Sequence, residues 1–254
     1  MSATLTARSA LSLLRQHFRN LGLDLPAEMT AALDELSAAS DHVTLHANPR
    51  ALGAAILDAL TDGTDPATDP AVLAELARRQ LTGLSVLIAD AIEERRAAIL
   101  HTYAADILNA LTPVVAAADT ALTDAREKIG DRFDLADTTI EQLRPTEMTL
   151  WGTAREHAHR AQLAAQCWQT VVLATGLVDL PTYKHPLILA DLDADQLDAL
   201  GNRPAANTPI AAGHRLDLAT PDTFRQRCQR IDKERTERAA KREREQRGGL
   251  RAVA

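Results

Sequence analysis

Across 254 residues, alanine (48) and leucine (37) make up a third of the chain, while Phe, Trp and Tyr together number seven. Ala and Leu lead the helix scale and aromatic strand formers are scarce, so the expected fold class is all-α. Cys167 and Cys228, the only cysteines, form no CxxC, which excludes a disulfide scaffold, and no uncharged apolar run reaches the ~18 residues of a membrane span. The formal charge is −7, unevenly spread: residues 225–251 hold 11 cations and 5 anions, net +6, leaving 17 cations against 30 anions, net −13, elsewhere. A basic tail on an acidic body is drawn towards anions, on a partner, on a neighbouring copy or on the body itself.

The first helix is predicted over 3–20, stopped by Gly22, with Leu11, Leu14, Phe18 and Leu21 as its apolar stripe. Its arginines (Arg8, Arg15, Arg19), with no acid before Asp24, also fit an organellar presequence. The amphipathic stripe favours an ordinary helix, and no signal-peptide pattern is present, so the expected compartment is the cytoplasm. A second helix follows from Pro26 to about Ser37, an extended connector over 41–48, and a third helix from Pro49 to Leu60. The stretch 61–70 (TDGTDPATDP) reads as the clearest linker in the chain.

From Pro70 onward, Leu84, Ile88, Ile92, Ile99, Tyr103, Ile107 and Leu111 recur at steps of three and four, predicting one long amphipathic helix. Its ~40 residues would span about 60 Å and demand a long partner. Pro113 is expected to kink or break it, with Thr112 as a fresh N-cap and Gly130 as the stop. Thr138 and Glu141 have capping-box spacing for a short helix ending at Pro145. Another long helix is predicted over 146–175, closed by Gly176, with Leu150, Ala154, Ala158, Ala161, Ala165, Trp168 and Val172 facing inward. Such small residues allow close approach, so the two long helices are expected to pair antiparallel, with the first three helices as a second layer.

Residues 177–221, with five prolines, read as an extended connector holding one short helix over 194–200, capped by Asp193 and Gln196. The final helix starts at Pro221 with Thr220 as cap. Its apolar face (Phe224, Cys228, Ile231) fades after two turns, beyond which Glu234–Arg238, Glu237–Lys241 and Glu243–Arg247 pair at helical spacing and Gly248–Gly249 ends it. The expected divisions are thus a short-helix N-terminal part (1–63), a long-helix core (64–176), a Pro-rich connector (177–221) and a projecting charged helix (222–254).

Residues that could carry chemistry have blander explanations. His42 and His46 are four apart, but Val43–Thr44–Leu45 between them is poor helix and no zincin glutamate follows. His157 and His159 lie two apart, so they point to different helix faces, and only tertiary structure would bring them to His101 or His185. Asp191, Asp193 and Asp195 mimic the start of a calcium loop that then lacks its Gly and its Glu. The cysteines read as small buried hydrophobes. No P-loop, dinucleotide or nucleophile-elbow motif occurs. No catalytic set, metal or cofactor is expected.

The basic C-terminal helix therefore carries the functional expectation. Between Arg225 and Arg251 no aromatic side chain is present to stack bases, and five acids interleave, so an acidic protein partner is favoured over nucleic acid. The expected contact residues are Phe224, Arg227, Ile231, Arg235, Arg238, Lys241 and Arg242. Long Ala-rich helices, a loose connector and a basic terminal helix resemble, in layout, the helical scaffolding proteins of tailed bacteriophages. The leading expectation is a non-catalytic assembly protein, such as a scaffolding or head-assembly protein, that self-associates through its long helices and grips an acidic partner with the basic C-terminal helix. The alternatives are a nucleic-acid-associated accessory protein using the same arm and a helical enzyme without a readable motif.

Overall fold

Local signals start and stop the first helix, α1 (Ala7–Leu21). Thr6 Oγ1 accepts from the Ser9 amide at 3.3 Å, and Gly22, at φ +67°, returns its N–H to the Arg19 carbonyl. In the computed structural model, which describes residues 6–43, 49–82, 85–136 and 141–251, this stripe of Ala10, Leu11, Leu14, Phe18 and Leu21 is buried. It packs on α5 (Ser85–Thr102) and α7 (Pro145–Thr175). The described residues are helical and contain no strand. The helix α2 (Ala27–Val43) runs past the expected stop at Ser37. Residues 44–48 and 137–140 lie outside the described residues, and with them His46 and the Thr138 cap.

Helices α3 (Pro49–Thr61) and α4 (Pro70–Thr82) pack on each other around a small cluster of Leu52, Ala59 and Val72, separate from the main core. The expected boundary at 61–70 is therefore the turn of a helical hairpin: Asp69 caps α4 by accepting from the Ala71 and Val72 amides. The long central helix is also divided differently from the expectation. The break falls at Tyr103, between α5 and α6 (Ala104–Ile129), and Pro113 lies inside α6. Pro113 and Asn109, whose carbonyl loses its amide partner, are both on the exposed side of α6, where solvent satisfies that carbonyl and the proline is tolerated.

The buried side of α6 (Ile107, Leu111, Val114, Val115, Ala118, Leu122, Ala125) meets α7 in the most extensive helix contact of the fold. Buried Ala154, Ala158, Ala161, Ala164 and Ala165 let the axes approach closely. Ala104–Arg132 is long and apolar enough by composition to cross a membrane, but its apolar face is this core contact.

The expected loose connector instead completes the core. Leu187, Ile188, Leu189, Ala190 and Leu192 are fully buried, together with Ile210, Leu216 and Ala219. They begin at the end of a 3-10 segment (Thr182–Ile188) and continue on either side of α8 (Ala194–Ala199), whose Asp193–Gln196 capping box is formed, and into and beyond α9 (Thr208–Ala211). Buried irregular backbone must have its polar groups satisfied. Here Asp217 and Ala219 donate to the Leu189 and Ile188 carbonyls (2.7 and 2.8 Å), the Leu216 amide donates to Asp119, and Arg126 donates to the Ile210 carbonyl. The main core runs from Ala10 to Ile231, so the divisions expected at 176 and 221 cut through packed structure.

Candidate functional site

The last helix, α10 (Pro221–Arg251), begins on the Thr220 cap. Phe224, Arg227, Cys228 and Ile231 share one helical face. That face is turned into the chain's own core: Phe224 and Ile231 are buried, and the Phe224 ring sits 5.1 Å from Trp168, tilted by 52°. The Trp168 indole N–H donates to the Ala219 carbonyl at 2.6 Å.

Arg227 is only 3% exposed. Its guanidinium donates to the Leu187 carbonyl (2.9 Å), the Asp217 carbonyl (3.1 Å) and the Asp217 carboxylate, with Asp191 3.7 Å away. Arg230 pairs with Asp191 and donates to the Leu192 carbonyl. Arg235 pairs with Asp198, and Arg238 with Asp195 (2.8 Å) and Asp198. Buried Lys184 reaches from the 3-10 segment to Asp232 at 2.7 Å. Burial pulls the Lys184 ammonium down most strongly, but its bond to Asp232 together with the electrostatic pull of Cys228, Asp232 and Tyr183 outweighs this and holds it above its ordinary value. The bond from Arg230 holds the Asp191 carboxyl below the usual range.

The expected docking set thus divides. Phe224, Arg227 and Ile231 are unavailable to a partner, because they fasten α10 to residues 187–219, and Arg235 and Arg238 are engaged by α8 aspartates. Lys241 and Arg242 stand exposed. The supposed calcium-loop acids are partners of this lock: Asp191 and Asp195 meet arginines, and Asp193 caps α8. Two pairs of the expected intrahelical ladder are shifted in register, Glu234 pairing with Arg230 and Glu237 with Lys233, while the expected Glu243–Arg247 pair involves a side chain outside the described ones.

Two other surfaces emerge only in the structure. The hairpin of α3 and α4 leaves Leu57 (66% exposed), Leu60 (61%), Leu73 and Leu76 in solvent, and Val86 and Leu87 at the start of α5 are equally open. A groove of about 760 Å³ runs along α1, floored by Leu11 and Leu33. Arg8, Arg15 and Arg19, on one face at i, i+7 and i+11, line it together with Arg96 of α5, and Asp34 is the acid among its lining residues. The arginine stripe was visible in the sequence; its meeting with Arg96 was not.

Among the described residues no three of His, Cys, Asp and Glu gather as metal ligands. Burial pushes the Cys167 thiol up to about 12 and Cys228 up to about 11, so neither is a thiolate near neutrality. His101 borders a separate cavity of about 430 Å³ with Asn109, Thr220 and Arg225, over Leu108 and Leu218. In comparisons with known proteins, no family model, no curated protein and no solved structure matches the chain.

Proposed function

We propose that this chain is a non-catalytic structural or assembly protein of the cytoplasm that self-associates through its helices. The observation carrying this reading is the set of leucines exposed on the α3–α4 hairpin, whose own cluster is too small to hide them. Burying one such side chain contributes about 1.5–3 kcal/mol, so several of them in solvent mark a contact surface. The short return from Ile129 to Pro145 supports an antiparallel pairing of α6 and α7 as the rigid body that presents the hairpin. Docking on an acidic protein partner falls to the distal part of α10, where Lys241, Arg242 and Arg244 are exposed. The layout likeness to phage scaffolding proteins loses the loose connector and the largely free basic helix, so it adds nothing to this reading.

The test is mass in solution. Sedimentation velocity across micromolar concentrations should give wild-type species heavier than 27.4 kDa, and Leu57→Glu with Leu60→Glu should return the monomer with unchanged helical circular dichroism. A wild-type monomer at every concentration contradicts the proposal. For the distal helix, a fluorescent polyglutamate peptide serves as probe, and Lys241→Glu with Arg242→Glu should weaken its binding.

A further inference from the structure

We propose that the α3–α4 turn of one copy seats on the basic α1 groove of another, pairing Asp58 and Asp62 with Arg19 and Arg15. This rests on the self-association proposed above and names the two surfaces that meet. The groove is cationic on a chain of net charge −7: Arg8, Arg15, Arg19 and Arg96 line it against Asp34. Among the described residues neither Arg15 nor Arg19 has an ion-pair partner, unlike the inner arginines of α10. Arg96 is already drawn to Glu93 at 3.5 Å, which leaves the α1 pair as the open charge.

The complementary feature lies on the hairpin. Asp58 and Asp62 are exposed near its turn, and the Asp62 amide still bonds the Asp58 carbonyl at 2.9 Å, so the helical register continues through both. Neither carboxylate has a cation partner among the described residues, whereas Asp69 is consumed as the α4 cap. Two acids four residues apart and two arginines four residues apart are each spaced by about 6 Å along their helices. An antiparallel approach therefore matches both pairs at once.

A nucleic-acid backbone is the rival occupant. The groove has no aromatic lining to stack bases, and Asp34 stands among its cations, both of which favour a carboxylate-bearing segment. Because groove and turn are different surfaces, the contact is head-to-tail, and copies add in chains or close into a ring.

Charge reversal gives a direct test. Arg15→Glu with Arg19→Glu reverses the groove, and Asp58→Arg with Asp62→Arg reverses the turn, all at exposed positions, with circular dichroism as the control for folding. By sedimentation velocity, each reversed protein alone should self-associate at least about tenfold more weakly than wild type, because like charges face each other. An equimolar mixture should regain association. One junction then joins a native turn to a native groove, and the other joins the two reversed surfaces. The milder pair Arg15→Gln with Arg19→Gln should fall between wild type and reversal.

Wild-type association that ignores both reversals, or a mixture that fails to recover, overturns this inference alone. A wild-type monomer overturns the self-association proposal itself. Binding of a fluorescent oligothymidylate that the groove reversal abolishes, with self-association untouched, assigns the groove to nucleic acid and also overturns the inference.

Discussion

In the first turns of α10, Arg227 is buried and spends its donors on the carbonyls of Leu187 and Asp217, whereas about four turns further on Lys241, Arg242 and Arg244 stand in water. Both regions are equally basic in composition. The difference lies in what each faces: residues 187–219 present carbonyls and carboxylates to the first region, and none of the described residues covers the second. A cationic helix is thus a structural clamp where its own chain supplies the anions, and a free surface only where that supply ends. The α3–α4 hairpin extends the contrast, since its leucines find no cover among the described residues while the shorter apolar pieces of the connector are buried.

The largest effects should come from the clamp. Arg227→Ala would leave the Leu187 and Asp217 carbonyls without that donor, and a hydrogen bond from a charged group contributes about 1.5–3 kcal/mol, the solvent-facing Asp217 carboxylate adding little. Phe224→Ala empties the space against Trp168 at a cost of about 3–5 kcal/mol. Both are read by urea denaturation, and a loss below about 1 kcal/mol for either would mean that α10 is not seated as described.

Acidification should act more gently, in two stages. Burial holds the His17 and His185 imidazoles below their ordinary value of 6.5. Their charged forms are disfavoured in the folded state, so stability is full above pH 6.5 and falls as pH drops through and below it. The depressed Asp191 carboxyl contributes in full above its ordinary value of 3.8, and that contribution is lost as pH falls from there through its lower folded value. Melting temperatures from pH 8 to pH 3 should show both stages, and His185→Gln should shrink the first. A flat profile between pH 7 and 5 would contradict the histidine stage.

Smaller still is the outer shell of ion pairs. Asp198→Asn, which meets partly exposed Arg235 and Arg238, should cost about 0.2–1 kcal/mol and less in high salt. Arg242→Ala should stay within about 0.5 kcal/mol of wild type. If Arg242→Ala proved as costly as Arg227→Ala, the division of α10 into clamp and free surface would fail.

Much of this architecture was legible residue by residue. The helical class follows from Ala and Leu, and Gly22, Gly176, Thr220 and the Asp193–Gln196 pair end or begin helices by purely local bonds. Pro113 does not end the helix because its cost depends on exposure, and exposure is tertiary. The Tyr103 break carries neither Gly nor Pro to announce it. The connector hid its role because Leu187 to Leu192 lack helical periodicity, and their backbone is satisfied by Asp217, Ala219 and Arg227, roughly 30–40 residues away. For the same reason the arginines of α10 looked free: Asp191, Asp195 and Asp198 are distant in sequence and adjacent only once α8 folds back.

Hydrogen–deuterium exchange at low and high protein concentration sets the two kinds of surface side by side. Amides around Leu187–Leu192 and Phe224–Ile231 should be protected equally at both, while protection over 57–62 and along α1 from Arg8 to Arg19 should rise with concentration. Rapid exchange of the Phe224–Ile231 amides, or a hairpin and α1 indifferent to concentration, would contradict an internally clamped basic helix on a body that associates elsewhere.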